Sequence, residues 1–159
     1  MKFAPLVDSP IYLITCTDGN ERSGCLVGFA TQCSISPPRF LVCLSIANHT
    51  YKIAMSSSSL GVHVLDSKDR DLASQFGEQS GDSVDKFASV PWREGAAGAP
   101  MLTDCEVAFE GRILAKIPLG DHVGFLLAPI DEVDVAESLQ KEQLTLREVS
   151  DLEAGHPAD

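Results

Sequence analysis

The chain has 159 residues, of which 44% are hydrophobic, enough for one domain with a sizeable core. Asp and Glu outnumber Lys and Arg by 23 to 12, giving a net charge of −11. Such an acidic surface disfavours binding to nucleic acid and to anionic membranes. No apolar run approaches membrane-spanning length, and Pro5 and Asp8 interrupt the start where a signal peptide would need an apolar core.

The sequence shows no composition shift that would mark a domain boundary, so we expect one domain over residues 1–159. Residues 151–159 have few apolar side chains and are predicted to form a flexible tail. The five cysteines are odd in number and lack C-x-x-C spacing. We therefore expect neither a disulfide framework nor a metal site, and predict a cytoplasmic protein.

Short apolar segments rich in β-forming residues recur along the chain and predict strands. The predicted strands are residues 11–16, 24–30, 40–46, 60–65, 105–116, 122–130 and 144–149. The Asp18-Gly19 pair is typical of a tight hairpin, so the first two strands should pair antiparallel. Successive strands with short connections favour a barrel over a βαβ sheet, and the predicted class is mainly β with short helices.

The remaining segments are predicted as helices and loops. Ser67 should cap a helix that Gly77 closes, and residues 133–143 should form another short helix. Residues 92–98 are dense in Gly and Ala, which predicts an exposed loop.

The stretch 24–38 begins as an apolar strand and turns polar at Thr31, before Pro37-Pro38 ends it. Ligands are commonly held by polar loops that follow a rigid strand. Gly28 inside the strand would let another backbone or a flat ring come close. The alternative is a strand, a Ser-rich loop and a strand that bind nothing.

A candidate anion site follows the strand 40–46. Asn48 is a favoured N-cap for a short helix, whose N-terminus offers unpaired N–H groups and a partial positive charge. Thr50 and Lys52 add a hydroxyl and a cation within the first turn, which suits a phosphate. The alternative is an ordinary capped surface helix.

Six short motifs occur in a fixed order along residues 11–130. They are Ser34-x-Ser36-Pro37-Pro38, Asn48-His49-Thr50, Leu72-Ala73-x-x-Phe76, Asp85-Lys86-Phe87, Gly98-x-Pro100-x-Leu102 and Gly120-Asp121-His122. By these motifs the chain resembles the flavin reductase-like family. The resemblance implies an FMN-binding split β-barrel of Greek-key type and a homodimer.

The resemblance also implies an activity, NAD(P)H:flavin oxidoreduction. Hydride would pass from NADH or NADPH to FMN, with FAD as the other candidate flavin, to supply a flavin-dependent monooxygenase. The implied flavin contacts are Gly28, Phe29, Ala30, Thr31, Gln32 and Cys33 for the ring and Ser45, Asn48, His49, Thr50 and Lys52 for the phosphate. Phe76 is a candidate ring contact, with a core role as its alternative, and His122 would lie beside the nicotinamide.

The strand Cys25–Ala30 is apolar on both faces, which would suit a partner subunit covering one side.

Two alternatives to the reductase remain open from the sequence. The chain could be a flavin-containing electron carrier or storage protein that does not oxidise NAD(P)H. It could also be a barrel that has lost the cofactor and binds only partners.

Overall fold

The computed structural model describes residues 3, 6–78, 85–130 and 142–152. The strands are β1 Tyr12–Thr17, β2 Arg22–Val27, β3 Ala30–Ser34, β4 Arg39–Ser45, β5 Ser59–Val64, β6 Trp92–Glu94, β7 Pro100–Leu102, β8 Val107–Pro118 and β9 His122–Pro129. The helices are α1 His49–Ala54 and α2 Arg70–Glu78, with 3₁₀ turns at Ser67–Asp69 and Lys86–Ser89. Most of the helix predicted at 133–143 lies outside the described residues.

Seven strands form one antiparallel sheet in the order β2-β1-β5-β8-β9-β4-β3, which curls into a half-barrel. The predicted first hairpin is confirmed, because β1 pairs with β2 around the Asp18-Gly19 turn. Asp18 Oδ1 accepts hydrogen bonds from the backbone N–H groups of Asn20 and Glu21, both at 2.8 Å. Gly19 has φ +94°, a conformation that side chains rarely adopt. The predicted mainly β class is therefore confirmed.

Two segments predicted as loops are strands in the structure. Most of the polar stretch after Phe29 is the edge strand β3, which pairs with β4 before a turn at residues 35–38. Trp92–Glu94 pairs with Pro100–Leu102 as a separate two-stranded sheet. Local composition was misleading here, because a neighbouring strand edge satisfies the backbone of a polar segment as readily as that of an apolar one.

Two hydrophobic cores lie on opposite sides of β1 and β2. The first fills the barrel, and the second lies between these strands, α2 and the C-terminal segment. Gly24 admits the Phe76 ring, since a Cβ there would lie 2.8 Å from it, and Leu26 packs against Gly77 in the same way. The second face of β2 is thus covered by this chain's own helix. The apolar residues on both faces of β2 are therefore no argument for a partner subunit at that face.

The start of α2 differs in detail from the prediction. Asp66, not Ser67, is the capping residue of the turn that leads into it. Asp66 Oδ1 accepts from the Lys68 N–H at 2.7 Å, and Asp69 Oδ2 accepts from the Asp66 N–H at 2.9 Å. This reciprocal pair satisfies two backbone donors. Gly77 lies within α2 instead of closing it, and serves the contact with β2.

The C-terminal segment is not the strand predicted at 144–149. It makes isolated bridges and then turns, with Leu144 O accepting from the Ile11 N–H at 2.8 Å. Asp151, placed in the predicted tail, forms an ion pair of 2.6 Å with Arg70, and Leu152 packs on the second core. Residues 153–159 lie outside the described residues. None of the helices described is long and apolar enough to cross a membrane.

Candidate functional site

The β8–β9 hairpin carries His122 to the end of the barrel. Gly120, with φ +136°, makes the turn, and β9 begins at His122. His122 Nδ1 lies 2.7 Å from Asp121 Oδ1, and this contact holds the pKa of the Asp121 carboxyl below its usual value. The His122 ring lies 5.2 Å from the Phe29 ring, centroid to centroid, at 49°. Because Phe29 is 49% exposed, the pair forms a partly open aromatic surface.

Backbone hydrogen bonds hold this pair in place. Phe29 O accepts from the Cys43 N–H at 2.9 Å, and Asp121 O accepts from the Ile46 N–H at 3.0 Å. Ser45, the last residue of β4, lies directly opposite His122 in the register. The structure thus brings Phe29, Ser45 and His122 together from three different strands or strand ends.

The outer edge of β3 lies beside Phe29. In an antiparallel pair, hydrogen bonding to the partner alternates from residue to residue. Since Phe29 bonds to Cys43, Ala30 and Gln32 direct their backbone N–H and C=O groups away from β4. β3 is the last strand of the sheet, so no further strand of the described residues pairs with that edge. The side chains of Thr31, Gln32 and Cys33 are exposed.

The predicted capping of α1 is confirmed, and it links this helix to β4. Asn48 Oδ1 accepts from the Thr50 N–H at 2.9 Å, and Ser45 O accepts from the Asn48 N–H at 3.0 Å. His49 Nε2 lies 2.6 Å from Glu21 Oε1 in the β1–β2 turn. Lys52 is exposed on the outer side of the helix.

Three residues expected at the site lie elsewhere. The Thr50 hydroxyl is buried and hydrogen-bonds the Ser23 hydroxyl at 2.9 Å, so it faces the barrel core. Phe76 is 1% exposed and packs in the second core. A Cβ on Gly28 would meet Leu146 of the C-terminal segment at 3.5 Å, so Gly28 does not open onto a slot for a ring. Their positions do not support the ligand contacts expected of these three side chains.

A comparison with known protein families shows to which family this chain belongs. The model of the flavin reductase like domain matches residues 5–150. The chain belongs to this family. The split-barrel fold expected from the sequence motifs is confirmed by solved structures of flavin reductases.

Two relatives of this flavin reductase-like chain have names that state an activity. The NADH-dependent FMN reductase RutF of Methylorubrum extorquens is 34% identical over 115 residues, covering 72% of this chain and 55% of that protein. The NADH:FAD oxidoreductase of Streptomyces globisporus is 25% identical with a TM-score of 0.76, covering 87% of this chain and 81% of that one. A second structure of that oxidoreductase contains NAD and FAD fragments.

A third relative supports the fold alone. The FMN-binding protein of Thermus thermophilus is 24% identical with a TM-score of 0.77, covering 87% of this chain and 78% of that one. The flavin reductase-like chain spans about half the length of the curated relatives that it matches.

The part of the chain described contains neither a disulfide nor a metal-binding cluster. All five cysteines are free, and no group of three His, Cys, Asp or Glu side chains is placed to hold a metal. Burial raises the pKa of the Cys25 thiol to about 11 and that of Cys105 to about 12. These two thiols therefore stay protonated and unreactive.

The sequence motifs missed the acidic partners of the two site histidines. Asp121 adjoins His122 in the Gly-Asp-His motif, so a local pairing could have been inferred. Glu21 lies 28 residues before His49, and no local pattern signals that contact. The Ser23–Thr50 hydroxyl pair joins residues that are 27 positions apart and is likewise not signalled by a local pattern.

Proposed function

We propose that this chain is an NAD(P)H:flavin oxidoreductase that transfers hydride from NADH or NADPH to FMN, with FAD as the other candidate flavin. The observation that carries the proposal is the Phe29–His122 aromatic pair beside the open edge of β3. The names of the relatives, FMN reductase (NADH) and NADH:FAD oxidoreductase, support the same reaction. A bound flavin would supply the hydride acceptor and return the electrons to a later acceptor.

The residues at the β3 edge fit a flavin ring system. Its pyrimidine part carries carbonyl and N–H groups, and the outward backbone groups of Ala30 and Gln32 offer complementary donors and acceptors. Reduction places negative charge on that part of the ring, which backbone N–H groups stabilise. The half-exposed Phe29 ring adds an apolar contact, with Thr31 and Cys33 alongside.

Lys52 is the residue of α1 best placed for the flavin phosphate. Its ammonium group makes no ion pair with another described residue, and the chain as a whole is acidic. Asn48 and Thr50 contribute to the shape of the helix start instead, because the Asn48 carboxamide accepts the Thr50 N–H. Ser45 and His49 complete the polar surface between α1 and β9.

His122 acts by position and not by proton transfer. Hydride transfer from a nicotinamide requires no acid or base at the donor, so the imidazole need only hold the nicotinamide nucleotide close to the flavin. The Asp121 carboxylate accepts from Nδ1 and leaves Nε2 directed elsewhere. The contact with the Phe29 ring holds the imidazole beside the exposed edge of β3.

We also propose a homodimer, on grounds that differ from the sequence argument. The face of β4, β9 and β8 that carries His122 includes exposed apolar side chains, and Ile117, opposite Gly124 in the register, is 40% exposed. Leu41 pairs with Leu126 in the register, and Leu41 and Leu119 both lie within 3.2 Å of the Cβ position of Gly124. Leu119 is 54% exposed. A second copy on this face would bury these side chains and close the site beside His122.

The partner enzyme of this protein is proposed from its family membership. Reduced flavin from this protein would serve a flavin-dependent monooxygenase, without binding nucleic acid or a membrane. The five free thiols support a cytoplasmic location, since cysteines stay reduced there. Arg70 pairs with Asp151 and Leu152 packs on the second core, so the described part of the chain supports one domain over 1–159.

A flavin-dependent NAD(P)H oxidation assay tests the proposed function. Purified protein is assayed with NADH and NADPH against FMN, FAD and riboflavin. Turnover with at least one pair supports the reductase. Tight flavin binding without NAD(P)H oxidation would instead identify an electron carrier or storage protein, and absence of both would identify a barrel without the cofactor. Light scattering of flavin-loaded protein at micromolar concentration tests the dimer, which a monomeric mass would contradict.

A further inference from the structure

A second aromatic surface lies outside the proposed reductase site. Trp92 is the only tryptophan in the sequence and is 36% exposed on β6. The Arg22 guanidinium carbon lies 4.5 Å from the centroid of the indole ring, and the Phe87 ring contacts it edge-on at 6.2 Å. A planar cation stacked on a planar aromatic side chain thus faces solvent at this point. We call this pair, Trp92 with Arg22, the indole platform.

The charge of the indole platform is not neutralised by another described residue. The ion pairs between described residues are His49–Glu21, Arg70–Asp151 and His122–Asp121, and none of them includes Arg22. In a chain with net charge −11, an exposed guanidinium without a carboxylate partner is a local site for an anion.

The hairpin that carries Trp92 is fixed to the barrel by buried polar side chains on three strands. Thr15 Oγ1 donates to Pro100 O at 2.6 Å, and His63 Nε2 accepts from the Leu102 N–H at 2.9 Å. Glu110 accepts from the N–H groups of Ala97 and Ala99 at 3.0 and 2.9 Å. These bonds anchor β7 and the turn, and β6 is held through its pairing with β7, so the indole platform is ordered before any ligand arrives.

The β1–β2 turn connects the indole platform to α1. Arg22 directly follows Glu21, whose carboxylate contacts His49 Nε2 at 2.6 Å at the start of α1. Lys52 lies on the same helix, where we place the flavin phosphate. A ligand with one phosphate at α1 and a second group at Trp92 would therefore lie along this turn.

We propose that the indole platform binds the adenosine phosphate end of a dinucleotide, an inference that rests on the proposed reductase function. The adenine ring stacks on the Trp92–Arg22 pair, and the guanidinium neutralises a phosphate. Both FAD and the nicotinamide dinucleotides contain this end, whereas FMN does not. The indole platform thus favours a dinucleotide over the corresponding mononucleotide.

The single tryptophan makes this binding directly measurable. AMP does not absorb at the wavelengths of tryptophan emission, so titration of flavin-free protein with AMP reports contact with Trp92. We expect saturable quenching, and an AMP affinity about tenfold lower in Arg22→Ala. Lys68→Ala, which removes the same charge from an exposed position near α2, should leave the titration unchanged. Absence of saturable quenching in the wild-type chain, or equal loss in both variants, overturns the proposal.

Two comparisons identify the natural source of the adenosine. Trp92→Leu should raise the Kd of FAD about tenfold and leave that of FMN unchanged if the flavin supplies it. It should raise the KM of the nicotinamide dinucleotide, and not that of reduced nicotinamide mononucleotide, if the reductant supplies it. Trp92→Phe, which keeps an aromatic face, should restore most of the affinity. A Trp92→Leu variant with every one of these constants unchanged contradicts the proposal.

The two proposals fail in different ways. If the protein binds FMN and oxidises NAD(P)H but AMP does not quench the Trp92 fluorescence, the proposal for the indole platform is wrong and the reductase function stands. If AMP quenches the Trp92 fluorescence but the protein neither binds nor reduces a flavin, the reductase function is wrong. The dinucleotide role assigned to the indole platform is then wrong as well.

Discussion

The two ends of this molecule use polar side chains in opposite ways. Beneath the β6–β7 hairpin, Thr15, His63 and Glu110 are at most 2% exposed, and their bonds hold backbone groups of that hairpin. At the ends of β4 and β9, His122 and Ser45 are partly exposed, and the adjacent edge of β3 is open. Polar groups whose bonds are satisfied internally stabilise the fold, whereas those left facing solvent can bind a ligand.

The two histidines show this contrast most clearly. His63 Nδ1 donates to Leu13 O at 3.0 Å while Nε2 accepts from Leu102, which fixes one neutral tautomer in the interior. His122 uses Nδ1 for Asp121 and its ring lies tilted against the Phe29 ring, and no described residue hydrogen-bonds its Nε2, which a ligand can therefore reach. His63 thus joins two backbone segments in the interior, whereas His122 is a candidate substrate contact.

The largest expected effect comes from removing the Glu110 carboxylate. Glu110→Ala leaves the Ala97 and Ala99 N–H groups without their acceptor and leaves the Ser59 hydroxyl only the longer contact with Ala97 O, which should cost about 3–5 kcal/mol of unfolding free energy. Urea denaturation measures this loss. Glu94→Ala, an exposed change on the same hairpin, should cost little. Equal stability of the two variants would show that Glu110 is not an anchor.

The second prediction uses pH to test the His63 bridge. Burial lowers the pKa of His63 from its ordinary 6.5 to about 4. Between those values the unfolded chain binds a proton that the folded chain does not, so stability falls as the pH falls. The contribution of His63 lost between pH 7 and pH 5 is roughly 2 kcal/mol. His63→Gln should lack this part of the pH dependence in urea denaturation, and a variant with the wild-type pH slope would refute the assignment.

The third prediction concerns His122 at the open end. His122→Ala should slow anaerobic reduction of the flavin by about tenfold, because the nicotinamide loses a positioning contact. Flavin affinity and reoxidation by oxygen should stay nearly unchanged. Stopped-flow absorbance measures the reduction step at several nucleotide concentrations. Reduction at the wild-type rate throughout would make His122 a turn residue only.

The smallest expected effect belongs to Lys52. Lys52→Ala should weaken FMN binding by about 1 kcal/mol, at the low end for a charged hydrogen bond because the side chain is exposed. Riboflavin, which has no phosphate, should bind both proteins equally in a fluorescence titration. Equal weakening of the two ligands would move the phosphate site away from α1. Lys68→Ala serves again as the charge-matched control.

Local physics made several features predictable from the sequence. The Asp18-Gly19 pair gave the first hairpin because both residues suit its tight turn, and Asn48 capped α1 because its side chain reaches the Thr50 N–H. Apolar runs located β1, β4, β5 and β9 closely, and the ordered motifs identified the family. Each of these signals lies within a few residues of the structure that it predicts.

Only the tertiary structure decided which side chains reach the site. Thr50 turned into the barrel because Ser23, 27 residues earlier, accepts or donates to its hydroxyl, and Phe76 filled the space that Gly24 leaves open. The polar stretch after Phe29 became an edge strand because β4 was there to pair with it. His122 and Ser45 are neighbours through strand register alone. Contacts between distant segments depend on the complete packing of the sheet, so no local pattern in the sequence determines them.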